Sequence, residues 1–214
     1  MVWGVNMKTL IFDWKESIPQ EELKQVKNIL ENNGLIIFPT DTVYGLGCNS
    51  FSDQAIEKIF EVKQRAKNKP INVLTDSVSK MSMLASHVGE IEKDLVERYM
   101  PGALTIIFDK KEEISNLLTS GLDTVGIRIP NNEIALKILK EVNFPLATTS
   151  ANVSGEEAGI SFDDVLDYFN GKVDAIIDGG VSPIQIASTI VRVENNHIHV
   201  LRQGSIIIDN NKKM

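Results

Sequence analysis

Hydroxyl-bearing residues follow an apolar run in the N-terminal part of the chain. Residues 35–38 read LIIF, which is typical of a buried strand, and residues 39–47 continue as PTDTVYGLG. Open α/β sheets bind ligands beyond the carboxyl ends of their strands, and Gly45 and Gly47 let the backbone come close to a ligand. The segment is therefore either an ordinary strand-to-helix connection or one wall of a ligand site.

Basic residues recur at alternate positions from Lys63 to Lys69, with Arg65 and Lys67 between them. If this segment is extended, the alternate side chains form a row of cations that can bind a polyphosphate. The alternative is a solvated basic loop. Because the segment leads straight into a predicted strand in an otherwise acidic chain, its position favours an anion site.

Three further clusters combine residue types that bind anions. Residues 148–155, TTSANVSG, follow an apolar strand, where hydroxyl and amide groups can donate to phosphate oxygens or hold a metal-bound water. A helix cap or a turn is the alternative. Arg128 lies within an apolar strand pattern and needs an anionic partner, either an internal Asp or Glu or a ligand carboxylate. In the third cluster, residues 187–191 and 201–204, Arg202 is followed by a glycine at the end of a strand.

Composition and missing motifs restrict the classes of function. The net charge of −7 argues against a broad nucleic-acid interface but not against a local anion site. The single cysteine, Cys48, favours a reducing compartment and a buried thiol, and no signal peptide or membrane-spanning run of about 20 apolar residues is visible. Phosphate-binding GxxxxGK[ST], nucleophilic GxSxG and zinc-binding HExxH motifs are absent, and the three histidines lie outside every cluster. A covalent-nucleophile or zinc enzyme is therefore disfavoured.

Hydrophobic periodicity predicts alternating helices and strands, and no repeat or linker divides the chain. We expect a single α/β domain over residues 1–214, with a core at about 19–206 and an open, twisted, mixed β-sheet flanked by helices. The predicted helices are 19–33, 53–64, 77–86, 90–99, 132–142 and 161 to about 170. The predicted strands are 35–38, 71–75, 104–108, 125–129, 145–149, 173–178, 188–193 and 197–201, the last two as a hairpin.

Taken together, the motifs resemble the YrdC/Sua5/TsaC family, the threonylcarbamoyl-AMP synthases. They occur in the family's order: PTDTVYGLG at 39–47, KQR at 63–65, KPINV at 69–73, PGALTIIF at 101–108, VGIRIP at 125–130, TTSANVSG at 148–155, STIV at 188–191 and LRQG at 201–204. Ala66 and Ala103 depart from prolines that are usual in the family, and both departures concern loop geometry more than chemistry.

The resemblance implies a YrdC/RibB-like fold with a concave, locally positive face. The implied reaction joins L-threonine, bicarbonate or CO2, and ATP into threonylcarbamoyl-AMP and pyrophosphate, with Mg²⁺ as an expected cofactor. Other proteins then transfer the threonylcarbamoyl group to adenosine 37 of tRNA. The implied location is cytoplasmic, without membrane attachment, and the implied type is the short form without the Sua5 C-terminal domain. Met7 is an alternative start.

The resemblance also assigns roles residue by residue. It places Lys63 and Arg65 at the triphosphate as catalytic groups. It does not firmly assign any residue of the protein as a metal ligand. The full set implied for ATP is Lys63, Arg65, Lys67, Thr124, Ser150, Asn152 and Arg202. The set implied for L-threonine is Thr40, Asn72, Arg128, Thr148 and Ser188.

Two other classes remain open at the level of sequence. One is an RNA-binding module, since a positive concavity can hold a tRNA strand, although the net charge of −7 opposes it. Weak tRNA binding is also compatible with the enzyme hypothesis. The other is a carbamoyltransferase related to hydrogenase-maturation proteins, which dependence on carbamoyl phosphate would reveal.

Overall fold

A computed structural model of the chain describes residues 8–208; residues 1–7, including the alternative start Met7, and 209–214 lie outside the described residues. At its centre is one ten-stranded sheet in the order β1-β8-β2-β3-β7-β4-β6-β5-β9-β10. The strands are β1 Leu10–Asp13, β2 Ile36–Phe38, β3 Gly45–Asn49, β4 Asn72–Leu74, β5 Leu104–Asp109, β6 Thr124–Arg128, β7 Leu146–Ser150, β8 Ala175–Asp178, β9 Thr189–Glu194 and β10 His197–Arg202.

Parallel and antiparallel pairs alternate irregularly across the sheet. Strand β8 pairs in parallel with β1 and β2, whereas β3 is antiparallel to both β2 and β7. Strand β6 is parallel to β4 and antiparallel to β5, and β9–β10 is an antiparallel hairpin. The predicted α/β fold with an open mixed sheet and flanking helices is therefore confirmed.

Seven helices are assigned to the described part of the chain, at α1 Gln20–Glu31, α2 Asp53–Val62, α3 Val78–Met81, α4 Glu90–Tyr99, α5 Asn116–Thr119, α6 Glu133–Glu141 and α7 Phe162–Phe169. Ser52 caps α2 by accepting a hydrogen bond from the Ala55 backbone N–H, and Ser161 begins α7 with a complete capping box. No helix in residues 8–208 is long and apolar enough to cross a membrane.

The helices cover the two faces of the sheet unequally. Helices α2, α4, α5 and α7 pack on one face, where their apolar residues join a large core. On the other face, α1 and α6 cover only the part formed by β1, β8, β2, β7 and β4. The side chains of β5 and β6 that point to this second face, including Ile107 and Arg128, belong to neither core cluster. The second face is therefore open where the layer of α1 and α6 ends.

Several sequence predictions differ from the structure within the described chain. Gly45–Asn49 is a strand and not part of a strand-to-helix connection. The helix predicted at 77–86 is limited to Val78–Met81, and β1 and α5 were not predicted. The extended row of cations at 63–69 is also wrong, because Gln64 has a φ of 51° and the segment turns.

Candidate functional site

A cavity of about 190 Å³ opens on the uncovered face of the sheet. Strands β3, β4, β6 and β7 supply its floor, and glycines leave room there, since a Cβ on Gly45 would lie 2.9 Å from Thr148 Cγ2. The lining combines three arginines with many hydroxyl groups and contains no carboxylate: Thr40, Thr42, Val43, Tyr44, Gly45, Arg65, Pro70, Ile71, Asn72, Leu74, Thr105, Arg128, Thr148, Thr149, Ser150, Ala158, Ala187, Ser188 and Arg202. The cavity is therefore suited to anions.

The turn between β2 and β3 forms one wall of the cavity and is buried along its whole length. The Thr40 hydroxyl donates to the Val43 carbonyl at 2.7 Å and accepts from the backbone N–H of Thr42 at 3.1 Å. Tyr44 donates from Oη to the Gly180 carbonyl at 2.6 Å, and burial raises the pKa of its phenol to about 12. These bonds explain how polar side chains are accommodated in a buried turn.

Arg128, at the end of β6, is held by three protein acceptors. Its Nε donates to the Gly102 carbonyl at 2.9 Å, its Nη1 donates to Thr42 Oγ1 at 2.9 Å, and its Nη2 forms an ion pair with Asp41. Burial lowers the pKa of Arg128, and the Asp41 carboxylate opposes that shift. Of the two partners left open by sequence, the internal carboxylate is therefore present in the structure.

Arg65 and Arg202 approach the cavity from two other segments. Arg65 donates from Nη2 to the Pro70 carbonyl at 2.9 Å, and Arg202 donates from Nη2 to the Ser188 carbonyl at 2.8 Å. The Ser188 hydroxyl lies 2.8 Å from that of Thr105. Burial lowers the pKa of both arginines, but a guanidinium stays protonated in proteins. Both therefore bring charge to the cavity with only neutral hydrogen-bond acceptors around them.

Lys63 does not line the cavity but supports one of its walls. It is 1% exposed, and its ammonium donates to the Ser150 carbonyl, to the Asn152 carbonyl at 2.8 Å and to Asn152 Oδ1 at 3.0 Å. Its own carbonyl accepts from the backbone N–H of Ser154 at 3.2 Å. Burial, with a smaller effect of the Arg65 charge, lowers the pKa of Lys63 to about 7. Lys63 therefore fixes the segment 150–154.

The structure gathers eight of the twelve predicted site residues around this cavity: Thr40, Arg65, Asn72, Arg128, Thr148, Ser150, Ser188 and Arg202. Asn152 lies with Lys63 in the supporting segment. Lys67 is paired with Glu57, and Thr124 lies four residues before Arg128 on β6, outside the lining.

Other residues at the site had no predicted role. Asp41 and Thr42 hold Arg128, and Thr105 bonds with Ser188. All three lie within the motifs at 39–47 and 101–108, and no other feature of the sequence indicated a role for them. Cys48 is buried, as predicted, and burial raises the pKa of its thiol. His197 and His199 are exposed on β10, as predicted.

No group of three or more metal-binding His, Cys, Asp or Glu side chains occurs within residues 8–208. The cavity offers hydroxyl and amide oxygens, and a Mg²⁺ ion is commonly bound largely through phosphate and water oxygens. The lining is compatible with a magnesium ion that arrives with a polyphosphate.

Comparison with known proteins identifies relatives over most of the chain. The family model Sua5_yciO_yrdC, described as telomere recombination, matches residues 28–204. A threonylcarbamoyl-AMP synthase of Pyrococcus abyssi (strain GE5 / Orsay) is 34% identical over 206 residues, which are 96% of this chain and 61% of the relative. A threonylcarbamoyl-AMP synthase of Bacillus subtilis (strain 168) is 36% identical over 186 residues, which are 86% of this chain and 54% of the relative.

A solved structure shares the fold. The crystal structure of P. abyssi Sua5 complexed with L-threonine superimposes with a TM-score of 0.89 at 36% identity, covering 92% of this chain and 58% of that chain. This chain spans between about half and three fifths of the length of these relatives.

Proposed function

Because the chain belongs to the Sua5/YciO/YrdC family, we propose that it makes threonylcarbamoyl-AMP and pyrophosphate from L-threonine, bicarbonate or CO2, and ATP. The observation that carries the proposal is the single cavity lined by Arg65, Arg128 and Arg202 without any carboxylate. In a chain of net charge −7, three of the five arginines face one space. The P. abyssi relative with bound L-threonine supports the amino-acid substrate.

The chemistry requires the protein mainly to hold anions together. The amine of L-threonine adds to CO2 and loses a proton, which gives a carbamate. A carbamate oxygen then attacks the α-phosphate of ATP, and pyrophosphate leaves. Neutralising charge and aligning the two reactants are the main contributions expected from such a site. This explains why no activated protein nucleophile is needed.

We assign the two substrates to different parts of the cavity. Arg128 would hold the amino-acid carboxylate near the hydroxyls of Thr40, Thr148 and Ser188, with Asn72 beside them. Arg65 and Arg202 would hold the triphosphate together with Ser150. The cavity volume of about 190 Å³ is below the usual range of about 300–1,000 Å³ for drug-sized ligands, so the nucleotide would extend onto the open sheet face toward Thr124.

Three predicted nucleotide contacts have more specific roles in this proposal. Lys63 and Asn152 would shape the segment 150–154, because the Lys63 ammonium already donates to three oxygens there. Lys67 would have to leave Glu57 to reach a triphosphate. Mg²⁺ would enter on the phosphates of ATP.

The biological role that we propose follows from the family. The mixed anhydride product would be passed to other proteins that modify adenosine 37 of tRNA, in the cytoplasm, and contact of this chain with tRNA would be weak. We further propose that residues 19–206 form one catalytic domain.

The test is pyrophosphate release by the purified chain with ATP, Mg²⁺, bicarbonate and one amino acid at a time. We expect release with L-threonine and at least about tenfold less with glycine or L-valine, since a hydroxyl-lined site distinguishes substrates that lack the hydroxyl. Arg65→Ala should reduce release by about 10²-fold or more, on the scale of losing one charge-stabilising group. Threonine-independent turnover, or turnover that requires carbamoyl phosphate, would disprove the proposal.

Arg98→Ala is the matched control. Arg98 is an exposed arginine paired with Asp94 on α4, outside the cavity. Its loss should leave release within about twofold of the unmodified chain, because exposed ion pairs contribute little to stability. Equal losses in the two variants would show that arginine removal acts through general charge and not through the cavity.

A further inference from the structure

The three arginines of the cavity differ in the charge of their protein partners. Arg65 donates to the carbonyls of Lys69 and Pro70, and Arg202 donates to the carbonyl and hydroxyl of Ser188, all of which are neutral. Arg128 forms an ion pair with Asp41, and both side chains are less than 10% exposed. Within residues 8–208, Arg65 and Arg202 form no ion pair. The positive charge of the cavity is therefore concentrated at Arg65 and Arg202.

Arg128 still has donors to offer to a ligand. A guanidinium carries five N–H groups, and three of those on Arg128 are directed to Gly102, Thr42 and Asp41. One N–H on Nη1 and one on Nη2 remain without a partner among residues 8–208. Because Arg128 lines the cavity, these two groups can donate to a carboxylate there.

Asp41 itself lies behind Arg128. It is 3% exposed and does not line the cavity, so its carboxylate cannot meet a ligand directly. Its backbone is held by a further bond, since the Asp41 carbonyl accepts from the Ile184 N–H at 3.0 Å. Asp41 therefore acts on a ligand only through the position and charge of Arg128.

The Asp41–Arg128 pair is not built for maximal stability. Only Oδ1 of Asp41 contacts Arg128, while the buried Oδ2 has no hydrogen-bond partner in the described chain. A buried carboxylate oxygen without a partner is destabilising, and a bidentate arrangement would have avoided it. Buried polar groups that oppose stability are expected where function requires them.

We propose that Asp41 is a positioning residue that sets ligand specificity at Arg128. By offsetting the charge of this guanidinium, Asp41 makes that end of the cavity bind a carboxylate of single charge, whereas the polyphosphate binds at Arg65 and Arg202. This deepens the proposed function and rests on it. A polyphosphate carries several negative charges and binds where positive charge is uncompensated. A single carboxylate needs mainly the two remaining N–H groups of Arg128. Without Asp41, the uncompensated charge of Arg128 would also attract the polyphosphate.

The test measures L-threonine binding by calorimetry, with and without saturating inorganic tripolyphosphate. In the unmodified chain the two ligands should bind together, and tripolyphosphate should change the Kd for L-threonine by less than about twofold. In Asp41→Asn, which keeps the side-chain shape and removes the charge, tripolyphosphate should occupy Arg128 and raise that Kd at least about tenfold. Asp41→Glu, which restores the charge, should regain joint binding.

Asp174→Asn is the matched control, because it makes the same chemical change at a residue that does not line the cavity. Asp174 Oδ2 accepts a hydrogen bond from the Leu35 N–H at 2.7 Å. This variant should behave like the unmodified chain. A merely structural role of Asp41 would lower stability without producing competition between the two ligands.

Two further outcomes keep the proposal testable if Asp41→Asn does not fold. Competition between tripolyphosphate and L-threonine in the unmodified chain would overturn it. So would a tenfold or greater loss of tripolyphosphate affinity in Arg128→Ala, which should lose L-threonine binding only. If the unmodified chain does not bind L-threonine at all, the proposed function fails as well, whereas joint binding that persists in Asp41→Asn overturns this inference alone.

Discussion

At the scale of single residues, the surroundings of each cation determine its contribution to the site. Arg98 and Arg192 are paired with carboxylates outside the cavity, whereas Arg65 and Arg202 have only neutral acceptors. Ion pairing lowers the charge available to a ligand, so the location of an arginine in the sequence does not by itself identify an anion site. What identifies the site is a cavity lined by three arginines, two of which, Arg65 and Arg202, have no carboxylate partner among residues 8–208.

The surroundings of Lys63 change its pKa. Burial and the nearby Arg65 charge lower the pKa to about 7 from the ordinary lysine value of 10.5. The unfolded chain therefore binds this proton more tightly than the folded chain between about pH 7 and pH 10.5. The destabilisation is complete below pH 7 and disappears as the pH rises to about 10.5.

We therefore predict that Lys63 makes the free energy of unfolding rise with pH, by at most about 1.4 kcal/mol per pH unit within this window. Urea unfolding of the unmodified chain and of Lys63→Met, at several pH values from 7 to 10, measures the difference. Lys67→Met, at an exposed lysine, is the control and should keep the original slope. Parallel pH profiles for all three proteins would contradict the prediction.

At the scale of elements, the helices and strands that local sequence signals specify were predicted well, whereas those that depend on long-range pairing were not. Helices α1, α2, α6 and α7 follow from amphipathic spacing, and Ser52 and Ser161 cap the starts of α2 and α7; such signals lie within a few positions of one another. Strand β3 was missed because its sequence, GLGCN, has little strand propensity. Its pairing with β2 and β7 determines its conformation instead.

The candidate site was only partly predictable, because many of its contacts join residues that are far apart in the sequence. The motifs named Thr40, Arg128 and Ser188, and the sheet brings them together. The partner of Arg128 is 87 residues away in sequence, and the acceptors of Lys63 are 87 and 89 residues away. Nothing local in the sequence records such contacts. The cation row was wrong because Gln64 adopts a left-handed conformation that the alternating pattern did not reveal.

Strand β6 provides an experiment at this scale, because its two faces have different roles. A Cβ on Gly126 would lie 2.4 Å from Asn72 Oδ1 and 3.1 Å from Ile107 Cδ1 on the open face. Gly126→Ala should displace Asn72 and raise the KM for L-threonine about three- to tenfold. The free energy of unfolding should fall by less than about 2 kcal/mol, since a flexible side-chain end can move.

Val125→Ala is the matched change on the opposite face of the same strand. Val125 is buried in the core, so its truncation should lower the free energy of unfolding by about 1–3 kcal/mol and leave the KM within about twofold. Steady-state kinetics and urea unfolding of both variants separate the two effects. If Val125→Ala raises the KM as much as Gly126→Ala, the open face has no special role in amino-acid binding.

At the scale of the whole molecule, an acidic chain surrounds a locally positive cavity. The net charge is −7, while the cavity lining has three arginines and no carboxylate. The overall charge disfavours broad binding of nucleic acid, and the open sheet face concentrates cations where anionic ligands can bind. The incomplete cover by α1 and α6 is what leaves this face available.

We propose that this cavity joins a carbamate of L-threonine to the adenylyl group of ATP. The most direct measurement is mass spectrometry of the product formed from ¹³C-bicarbonate, L-threonine, ATP and Mg²⁺ by the purified chain. We predict threonylcarbamoyl-AMP that contains one ¹³C atom, together with an equal amount of pyrophosphate. Formation of threonyl-AMP without the label, or of ADP and phosphate in place of pyrophosphate, would contradict it.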